Sequence, residues 1–340
     1  MKAALLEADC RIHVGEYADP TADGAAVVAV KAAGVCGTEL HFLDGLLKPD
    51  DYPLILGHEF AGVVEEVPEG ETKLRKGDRV SVYNLVACGS CSQCTVGRQQ
   101  ICDDPIGQMG FNLNGGFAQY ARVPTANMVQ IPDSLDFDTA AVLACSGMAA
   151  VHGVSRADVT VGTTAVVNGI GGVGLMVAQV AQLAGARVIA VGDSDEKLEL
   201  ATALGAEAVR AGNEQEYATL PDQIRDLTSG TGADCYFELV GTTASMKAGF
   251  ECLGKAGTFV SIGYTTDDIV VSPAQLIIGE KRLVSCVAAR KSDLETAVRL
   301  ASTGKLKATI QSQFPLDGID EALRSLRERR VLGRNVVSFA

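Results

Sequence analysis

Hydrophobic residues in the first 146 positions occur in short runs rich in β-branched side chains, and Gly, Pro or Asp soon interrupts each run. Examples are GAAVVAVKAAGVCG, GVVEEV, GDRVSVYNLVACG and FAQYARVP. Runs of this length, bounded by turn residues, are typical of strands joined by loops. The pattern predicts a compact, mainly β domain over residues 1–146, with long loops that can carry functional side chains.

The pattern changes over residues 147–287, where buried-type apolar runs alternate with helical segments. We predict strands at TAVVNGI, RVIAVG, DCYFELVG, GTFVSIG and RLVSCVAA, and helices at GGVGLMVAQVAQLAG, KLELATALGA and SMKAGFECLG. Strands that alternate with helices predict a parallel sheet covered on both faces. The middle of the chain is therefore expected to form an α/β domain.

The segment 288–340 contains an amphipathic helix, a strand, a second helix and a final strand. We expect it to return to the first domain. A chain of 340 residues is long enough for two domains of ordinary size. The predicted organisation is thus a β domain formed by 1–146 and 288–340, split around an α/β domain at 147–287.

The net charge of −13 restricts the partners of the protein. Nucleic acids and anionic lipid surfaces attract cationic proteins, so we expect neither nucleic acid nor membrane as a partner. The uncharged stretch 159–186 is long enough to span a bilayer, but its glycines and its continuation into RVIAVG favour a strand, a turn and a helix. The start, MKAALLEADCRIHVGE, lacks the apolar run of a signal peptide, which predicts a cytoplasmic protein.

A glycine-rich turn follows the first predicted strand of the α/β domain. Its pattern, GxGxxG, lies directly after TAVVN and directly before the predicted helix. Such glycines permit a tight turn, close approach of the backbone to a pyrophosphate and close helix–sheet packing, and the helix N-terminus presents free amides. A turn needed only for packing is the alternative, but the strand–turn–helix context favours dinucleotide binding. The candidate residues are Gly169, Gly171, Gly172, Val173 and Gly174.

The end of the next predicted strand bears on the choice between NAD and NADP. A carboxylate at that position accepts hydrogen bonds from the ribose of NAD, whereas NADP requires a small residue and a nearby Arg. Here Gly192 is followed by Asp193 and further acids, with Lys197 as the only local cation. The acids would repel a 2′-phosphate, so we predict NAD, held in part by Asp193, while Gly192 leaves NADP open.

Four of the ten cysteines lie in one short polar loop with the spacing C-x2-C-x2-C-x7-C; they are Cys88, Cys91, Cys94 and Cys102. In a reducing cytoplasm, clustered thiols are more often metal ligands than disulfides. Zinc prefers tetrahedral thiolates, and four protein sulfurs leave no position for water or substrate. We predict a structural zinc site; two disulfides and an iron–sulfur cluster are the alternatives.

A reactive zinc ion needs three protein ligands and an open position. Candidate ligands occur in GVCGTELHFLDG, LILGHEFAG and VLACSGMAAVHG. Each is unremarkable by itself, because a cysteine in an apolar run is most often a small core residue and a single histidine is most often structural. The residues alone leave these roles open.

Taken in order, the motifs resemble those of a known family. Cys36-Gly37-Thr38-Glu39-x-His41, then Gly57-His58-Glu59, the four-cysteine loop, GGFAQY and the GxGGVG turn follow the order of zinc-containing alcohol dehydrogenases of the medium-chain dehydrogenase/reductase superfamily. The resemblance covers nearly the whole chain. It implies a GroES-like, mainly β catalytic domain, a Rossmann domain with a doubly wound parallel sheet, and a catalytic zinc ion in the cleft.

The resemblance also implies the metal site. Cys36 and His58 correspond to two zinc ligands, and Cys145 falls where these enzymes carry the third. Glu59 resembles a neighbouring acid that can approach or exchange onto the metal. Glu39 resembles the carboxylate that holds a zinc-bound imidazole, here that of His58.

Further roles follow by the same resemblance. Thr38 corresponds to the hydroxyl that takes the substrate proton, and His41 to the residue that passes it to solvent through the cofactor ribose. Asn84 falls where relatives often carry a bulky pocket-lining side chain, so a larger or hydroxylated substrate is a possibility. The remaining histidines, His13 and His152, are interpreted as structural, and the remaining cysteines as small buried residues.

The expected activity is reversible hydride transfer between an alcohol and NAD(H), with one catalytic and one structural zinc ion per chain. One rival is an NADPH-dependent enone or quinone reductase of the same superfamily, and another is a zinc-ribbon-like binding or sensor protein. The substrate stays open. Relatives of this length are commonly tetramers and sometimes dimers, so a homo-oligomer is expected, and the strand RLVSCVAA could pair across its interface.

Overall fold

The computed structural model describes residues 1–339. Its strands are β1 Lys2–Leu6, β2 Ile12–Glu16, β3 Ala26–Val35, β4 Leu54–Ile55, β5 Glu59–Glu66, β6 Arg79–Val82, β7 Leu85–Val86, β8 Gly107–Gln108, β9 Tyr120–Val123, β10 Met128–Gln130, β11 Thr164–Asn168, β12 Arg187–Gly192, β13 Glu207–Arg210, β14 Ala233–Glu238, β15 Leu253–Ser261, β16 Arg282–Ser285, β17 Ile310–Phe314 and β18 Arg334–Ser338.

The helices are α1 Gly37–Leu43, α2 Ser92–Thr95, α3 Phe137–Val142, α4 Met148–Arg156, α5 Gly172–Leu183, α6 Asp195–Ala203, α7 Glu214–Leu227, α8 Thr243–Cys252, α9 Pro273–Gly279, α10 Lys291–Ser302 and α11 Ile319–Arg327. A one-turn π-helix, Leu143–Gly147, joins α3 to α4.

The described chain forms two compact units. Unit 1 comprises Met1–Met148 and the chain from Arg290 onward, and unit 2 comprises Ala149–Ala289. The sequence predicted domain boundaries after residues 146 and 287. Each lies two residues before the corresponding boundary in the structure, after residues 148 and 289.

Unit 1 is mainly β. Its largest sheet has the order β10-β6-β5-β3-β18-β17, with β9 also paired to β3, and a smaller sheet has the order β2-β1-β4. The C-terminal strand β18 pairs antiparallel with β3, so the tail contributes to the same sheet as the first part of the chain. A buried cluster that includes Phe42, Phe60 and Phe117 forms the core of this unit.

Unit 2 has one six-stranded parallel sheet in the order β13-β12-β11-β14-β15-β16. Counted within the unit, this is the strand order 3-2-1-4-5-6 of the Rossmann fold. The direction in which successive strands are added to the sheet changes between β11 and β14. Apolar runs such as TAVVN and RVIAVG form its central strands because both faces of the sheet are covered. The α/β fold class, with a mainly β domain and a Rossmann sheet, is confirmed.

The sequence analysis missed β13 and α7. The strand EAVR has a single buried side chain, and the helix EQEYATLPDQIRDL contains Pro221 and many polar residues, so neither shows a strong apolar signal. The predicted strand RLVSCVAA is shorter than expected, since β16 ends at Ser285.

Within residues 1–339, one helical stretch, Phe137–Arg156, is long and apolar enough to cross a membrane by length and composition, and 72% of its apolar window is buried inside the protein. Core helices of soluble proteins pass the same test. The uncharged stretch 159–186 forms strand β11 and helix α5.

Candidate functional site

Strands β3 and β5 of unit 1 bring Cys36 and His58 together. Cys36 follows β3 as the N-cap of α1, and His58 directly precedes β5. The two strands are antiparallel, with Gly34 opposite Glu59, so the end of one lies beside the start of the other. The antiparallel pairing of β3 and β5 therefore brings together Cys36 and His58, which are 22 residues apart in sequence.

Cys145 joins them from a helix later in the chain. It lies in the π-helix Leu143–Gly147 between α3 and α4. A π turn inserts an extra residue into a helix and is frequent at functional sites because it changes the direction of a side chain. In this case the cysteine in the middle of the turn meets the side chains of the β3–β5 pair.

The donor atoms of Cys36, His58, Glu59 and Cys145 all lie within 4.8 Å of one another. His58 Nε2 is 3.8 Å from Glu59 Oε1. A tetrahedral ion with ligands at about 2.0–2.3 Å separates them by roughly 3.3–3.8 Å, so one ion fits between these atoms. Two sulfurs and an imidazole, with a carboxylate beside them, form a donor set suited to zinc.

Glu39 orients the imidazole of His58. Its Oε1 is 2.7 Å from His58 Nδ1, and its Oε2 accepts a hydrogen bond of 2.8 Å from the backbone amide of Cys36. Both carboxylate and imidazole are buried. Because Nδ1 is occupied by Glu39, Nε2 is the nitrogen left for a metal.

The buried groups shift one another's pKa values. A hydrogen bond from Cys145, together with the charges of Arg334 and His58, holds the pKa of Cys36 well below its usual range despite burial. Burial opposes a charge on His58, but Glu39 and Cys36 raise its pKa well above the usual value. Cys36 is therefore the readier thiolate of the two cysteines.

Arg334 is a functional candidate that the sequence analysis missed. Its guanidinium lies 3.0 Å from Glu59 Oε1, and both side chains are buried. The ion pair does not have hydrogen-bond angles, so neither Glu59 oxygen accepts a hydrogen bond from the described residues. Burial raises the pKa of Glu59 to about 8, and Arg334 opposes this rise. The signal was a single arginine in the apolar run VLGRNVVSF.

Gly34 makes room for the same carboxylate. A Cβ atom built on Gly34 would overlap the carboxylate of Glu59. The carboxylate accepts no hydrogen bond from the described residues, and the guanidinium of Arg334, 3.0 Å from Oε1, is the cation that offsets its burial. Since neither oxygen accepts a hydrogen bond from these residues, the carboxylate is available as a further donor beside Cys36, His58 and Cys145.

Helix α1 carries the two residues expected to move a proton. Thr38 Oγ1 lies 3.7 Å from Cys36 Sγ, in the first turn. His41 lies in the last turn of the same helix, three residues later, and side chains at this spacing occupy the same side of a helix. The structure thus places Thr38 directly beside the group of possible metal ligands.

The four-cysteine loop forms a second cluster in unit 1. The Sγ atoms of Cys88, Cys91, Cys94 and Cys102 lie within 4.8 Å of one another, with Sγ–Sγ distances of 3.5 Å (88–102), 3.8 Å (91–102) and 4.0 Å (88–94). Tetrahedral zinc with Zn–S bonds of about 2.3 Å separates its sulfurs by about 3.8 Å. A disulfide requires about 2.05 Å, and none of these four cysteines is in a disulfide.

Backbone amides support thiolates in this loop. The amide of Cys88 donates to Cys102 Sγ at 3.3 Å, and that of Cys91 donates to Cys88 Sγ at 3.4 Å. Hydrogen bonds from Ser90 and Cys91 lower the pKa of Cys88 to about 6. The cluster has the composition and spacing of a closed site for a single ion.

Asn84 is connected to the first cluster only indirectly, through the segment that contains Met109 and Phe111. Its backbone carbonyl accepts a hydrogen bond of 2.9 Å from Met109, and the ring of Phe111, two residues further on, is 5.3 Å from that of His58. The Asn84 side chain is buried, and its Oδ1 accepts no hydrogen bond from the described part of the chain.

The glycine turn of unit 2 has the geometry of a phosphate-binding loop. Gly169 has φ +100°, and a Cβ on Gly174 would overlap the Gly169 carbonyl oxygen, so both glycines serve the turn itself. Gly171 is different: it is the N-cap of α5, and a Cβ there would meet nothing within 4 Å. The open space beside Gly171, at the N-terminus of a helix that starts with Gly172 and Val173, fits an approaching pyrophosphate.

Asp193 follows the end of β12, as the sequence suggested, and its Oδ1 forms a 2.8 Å ion pair with Lys197. The expectation that Lys197 is the only local cation is wrong, because Arg210 on the neighbouring strand β13 pairs with Asp195 at 2.7 Å. Lys197 and Arg210 are each paired with an aspartate, so these two cations do not leave a net positive charge at the end of β12.

The other cysteines and histidines differ in burial. Cys235, Cys252 and Cys286 are buried, as expected. Cys10 is only partly buried and has φ +62°, so its interpretation as a core residue is wrong. His13 is half exposed, with Nδ1 3.7 Å from Glu7.

Comparisons with known proteins agree with this architecture. Residues 22–133 match the family of the alcohol dehydrogenase GroES-like domain, and residues 172–303 match the zinc-binding dehydrogenase family. The chain is 32% identical to an alcohol dehydrogenase of Geobacillus stearothermophilus over 99% of both chains. It is 31% identical to an NAD-dependent alcohol dehydrogenase of Sulfolobus acidocaldarius over 92% of both.

A solved structure shows the same fold along the full length. The crystal structure of the alcohol dehydrogenase from the hyperthermophilic archaeon Aeropyrum pernix superposes with a TM-score of 0.92, at 30% identity and with 100% of each chain covered. Family matches, full-length relatives and fold all agree. The chain therefore belongs to the zinc-containing alcohol dehydrogenases of the medium-chain dehydrogenase/reductase superfamily.

Proposed function

We propose that this protein is a zinc-dependent alcohol dehydrogenase that transfers hydride reversibly between an alcohol, or the matching aldehyde or ketone, and NAD(H). The observation that carries the proposal is the buried group of Cys36, His58, Glu59 and Cys145, whose donor atoms lie within 4.8 Å of one another. The separate four-cysteine loop supports a second, structural ion, which gives two zinc ions per chain.

In this proposal Cys36 Sγ, Cys145 Sγ and His58 Nε2 hold the catalytic zinc ion, and Glu39 fixes the imidazole from the other side. Zinc supplies Lewis acidity, which lowers the pKa of a coordinated hydroxyl group by several units. The ion pair with Arg334 holds Glu59 beside the three ligands, so the carboxylate can approach or leave the fourth position. Three firm ligands and one exchangeable neighbour are what a reactive site requires.

Thr38 and His41 are proposed to carry the proton. The Thr38 hydroxyl, 3.7 Å from Cys36 Sγ, can accept a proton from a substrate bound beside that sulfur and pass it on. Histidine side chains exchange protons near neutral pH, which suits His41 for the later step toward solvent. A buried site needs such a path because a proton released in it has no direct contact with bulk water.

The dinucleotide is proposed to lie with its pyrophosphate at the turn formed by Gly169, Gly171, Gly172, Val173 and Gly174. Bound NAD supplies the hydride acceptor. Asp193 is proposed to accept hydrogen bonds from the adenosine ribose, with Lys197 sharing the carboxylate. The acids around the end of β12 favour NAD over NADP because they would repel a 2′-phosphate.

The test is turnover with a panel of substrates. Purified protein with its metal content measured is mixed with NAD or NADP and primary, secondary and polyhydric alcohols, and the absorbance of the reduced dinucleotide is followed. We expect NAD-dependent oxidation and the reverse reduction of the matching carbonyl compounds. NADPH-dependent reduction of enones without alcohol oxidation would favour the double-bond reductase, and no turnover of any kind would favour a binding protein.

The same panel addresses the substrate class. The buried Oδ1 of Asn84 lacks a hydrogen-bond donor among the described residues, and a substrate with a second hydroxyl could supply one. We propose a hydroxylated or larger alcohol, and expect a higher kcat/KM for diols and polyols than for simple alcohols of equal length. A preference for the simple alcohols would contradict this.

A homo-oligomer is proposed from the edge of the unit 2 sheet. Strand β16 is the last strand of the sheet, and near it Ile277 and Ile278 of α9 are 74% and 80% exposed. A sheet edge beside exposed apolar side chains favours pairing with another copy. Light scattering is expected to give the mass of a dimer or tetramer, and Leu283→Lys on β16 is expected to shift it toward the monomer. A wild-type mass of one chain would contradict the proposal.

The location is proposed to be the cytoplasm. Within residues 1–339, none of the ten cysteines is in a disulfide, and clusters of thiolate ligands persist in a reducing compartment. Recovery of the protein outside the soluble cell fraction would contradict this location.

A further inference from the structure

A buried carboxylate lies between β11 and β14, where the strand order of the unit 2 sheet changes direction. Glu238 is the last residue of β14, and Asn168 is the last residue of β11. The two residues are paired in the parallel register, and both are fully buried. Ligands of open α/β sheets bind at the carboxyl ends of the strands where the strand order reverses, which is the place of this pair.

Glu238 joins the two halves of the sheet through its side chain. Oε2 accepts a hydrogen bond of 2.9 Å from Asn168 Nδ2. Oε1 accepts from the amides of Val240 and Gly241, at 2.7 and 2.8 Å, and from Ser245 Oγ at 3.1 Å. One carboxylate thus connects the end of β11 to the loop after β14 and to the start of α8.

The loop held by Glu238 packs on the first glycine of the dinucleotide turn. A Cβ on Gly169 would lie 3.1 Å from Val240 Cγ2 and 3.2 Å from Leu239 Cβ. The amide of Leu239 also donates to the carbonyl oxygen of Asn168 at 3.0 Å. The place of Gly169, and with it the direction of the turn, therefore depends on where residues 239–241 lie.

Burying the charged carboxylate of Glu238 costs free energy, which its hydrogen bonds must offset. Burial raises the pKa of Glu238, and the hydrogen bonds that it accepts, led by that from Gly241, lower it again. A buried acid is tolerated only while these hydrogen bonds are made. A carboxylate, which only accepts hydrogen bonds, matches the four donors that converge here.

We propose that Glu238 and Asn168 are positioning residues for the dinucleotide: their hydrogen bond fixes the turn that starts at Gly169 against the loop 239–241, so that the turn is preformed for the pyrophosphate. The inference rests on the proposed dinucleotide binding. Glu238 and Asn168 act on the turn through the loop 239–241, and neither of them needs to touch the ligand.

The test exchanges the hydrogen-bonding partners. In Glu238→Gln the new amide Nε2 faces Asn168 Nδ2, so two donors meet in the orientation that the hydrogen bond from Tyr217 gives the Asn168 amide. In Asn168→Asp two carboxylates meet. Each single change is expected to raise the Kd of NADH about ten-fold, because a buried hydrogen bond is replaced by a repulsive contact. The double variant N168D/E238Q restores one donor and one acceptor, because the new carboxylate at position 168 accepts from the new amide at position 238. Its Kd is expected to return to within about three-fold of wild type.

Asp234→Asn is the matched control. Asp234 lies on the same strand and accepts a 2.7 Å hydrogen bond from the amide of Thr164, but at the opposite end of β11. It is expected to leave the Kd of NADH unchanged. NADH binding is measured by fluorescence well below the unfolding temperature, so a loss of stability alone does not change the result.

Three outcomes decide the matter. Weaker binding in the single variants and recovery in the double variant support the proposal; wild-type binding in the folded single variants, or no recovery in the folded double variant, overturns it. If the single variants or the double variant do not fold, Asn168→Ala, which removes the hydrogen bond to Glu238 Oε2 without placing a like group opposite it, replaces them. A rise of about three-fold then supports the proposal, and an unchanged Kd overturns it. Failure of wild-type protein to bind NADH would instead contradict the proposed function.

Discussion

Cys36→Ser is expected to lower kcat/KM for alcohol oxidation by about a thousand-fold or more while the protein stays folded. A serine hydroxyl is a poor zinc ligand, so the change removes a ligand without adding volume. Lewis-acid activation contributes several kcal/mol to such reactions, and each 1.4 kcal/mol corresponds to about a factor of ten in rate. The backbone hydrogen bond from residue 36 to Glu39 does not depend on the sulfur, so the local fold is retained.

Metal analysis provides the second readout for this variant. We expect the zinc content to fall from about two ions per chain to about one, since the four-cysteine loop is unchanged. Cys10→Ser is the matched control, because Cys10 also belongs to unit 1 but lies in neither cluster. The control should keep the activity and zinc content of wild type. Full activity of Cys36→Ser with unchanged zinc would remove Cys36 from the ligands.

The fold was predictable to the extent that it depends on repeated local patterns. Parallel strands buried on both faces, such as TAVVN and RVIAVG, leave continuous apolar runs in the sequence. The GxGxxG turn was recognisable because its glycines are required by backbone geometry, as φ +100° at Gly169 shows. By contrast, β13 and α7 were missed because their burial is intermittent and their sequences are mostly polar.

The candidate metal site was predictable only in part. Cys36 and His58 were suggested by motifs, but nothing in the run VLACSGMAA indicates the π turn that directs Cys145 toward them. Arg334 was missed because the contact with Glu59 joins residues that are 275 positions apart. Sequence patterns record local geometry, whereas the balance of buried charge depends on tertiary contacts.

Glu59 illustrates the same distinction. The sequence suggested an acid beside the metal ligands, but the groups that surround its carboxylate are a property of the packed site. Gly34 leaves space for the carboxylate, Arg334 attracts it, and no described residue donates a hydrogen bond to it. This agrees with the proposal that Glu59 can approach or leave the metal, because no hydrogen bond from the described residues has to break when the carboxylate moves.

Cys91→Ser is expected to have the opposite profile to Cys36→Ser: large loss of stability and little loss of catalysis at low temperature. The loop that contains α2 has few buried apolar side chains, so we expect its conformation to depend on the ion that the four sulfurs are proposed to hold. Loss of a structural metal is among the changes that cost about 4 kcal/mol or more. For a unit of this size that corresponds to a fall in Tm of roughly 10 °C.

Thermal unfolding of the two variants side by side separates structural from catalytic metal binding. Ser92→Ala is the control for Cys91→Ser, because it changes the same loop but removes only an exposed 3.1 Å hydrogen bond to Asp103, with an expected cost of less than about 1 kcal/mol. If Cys91→Ser unfolds at the wild-type temperature with both zinc ions present, the loop does not need this sulfur. If it stays stable but loses turnover, the four-cysteine cluster takes part in catalysis. Neither result is expected, because a site with four sulfurs and no open position can hold a loop but cannot bind a substrate.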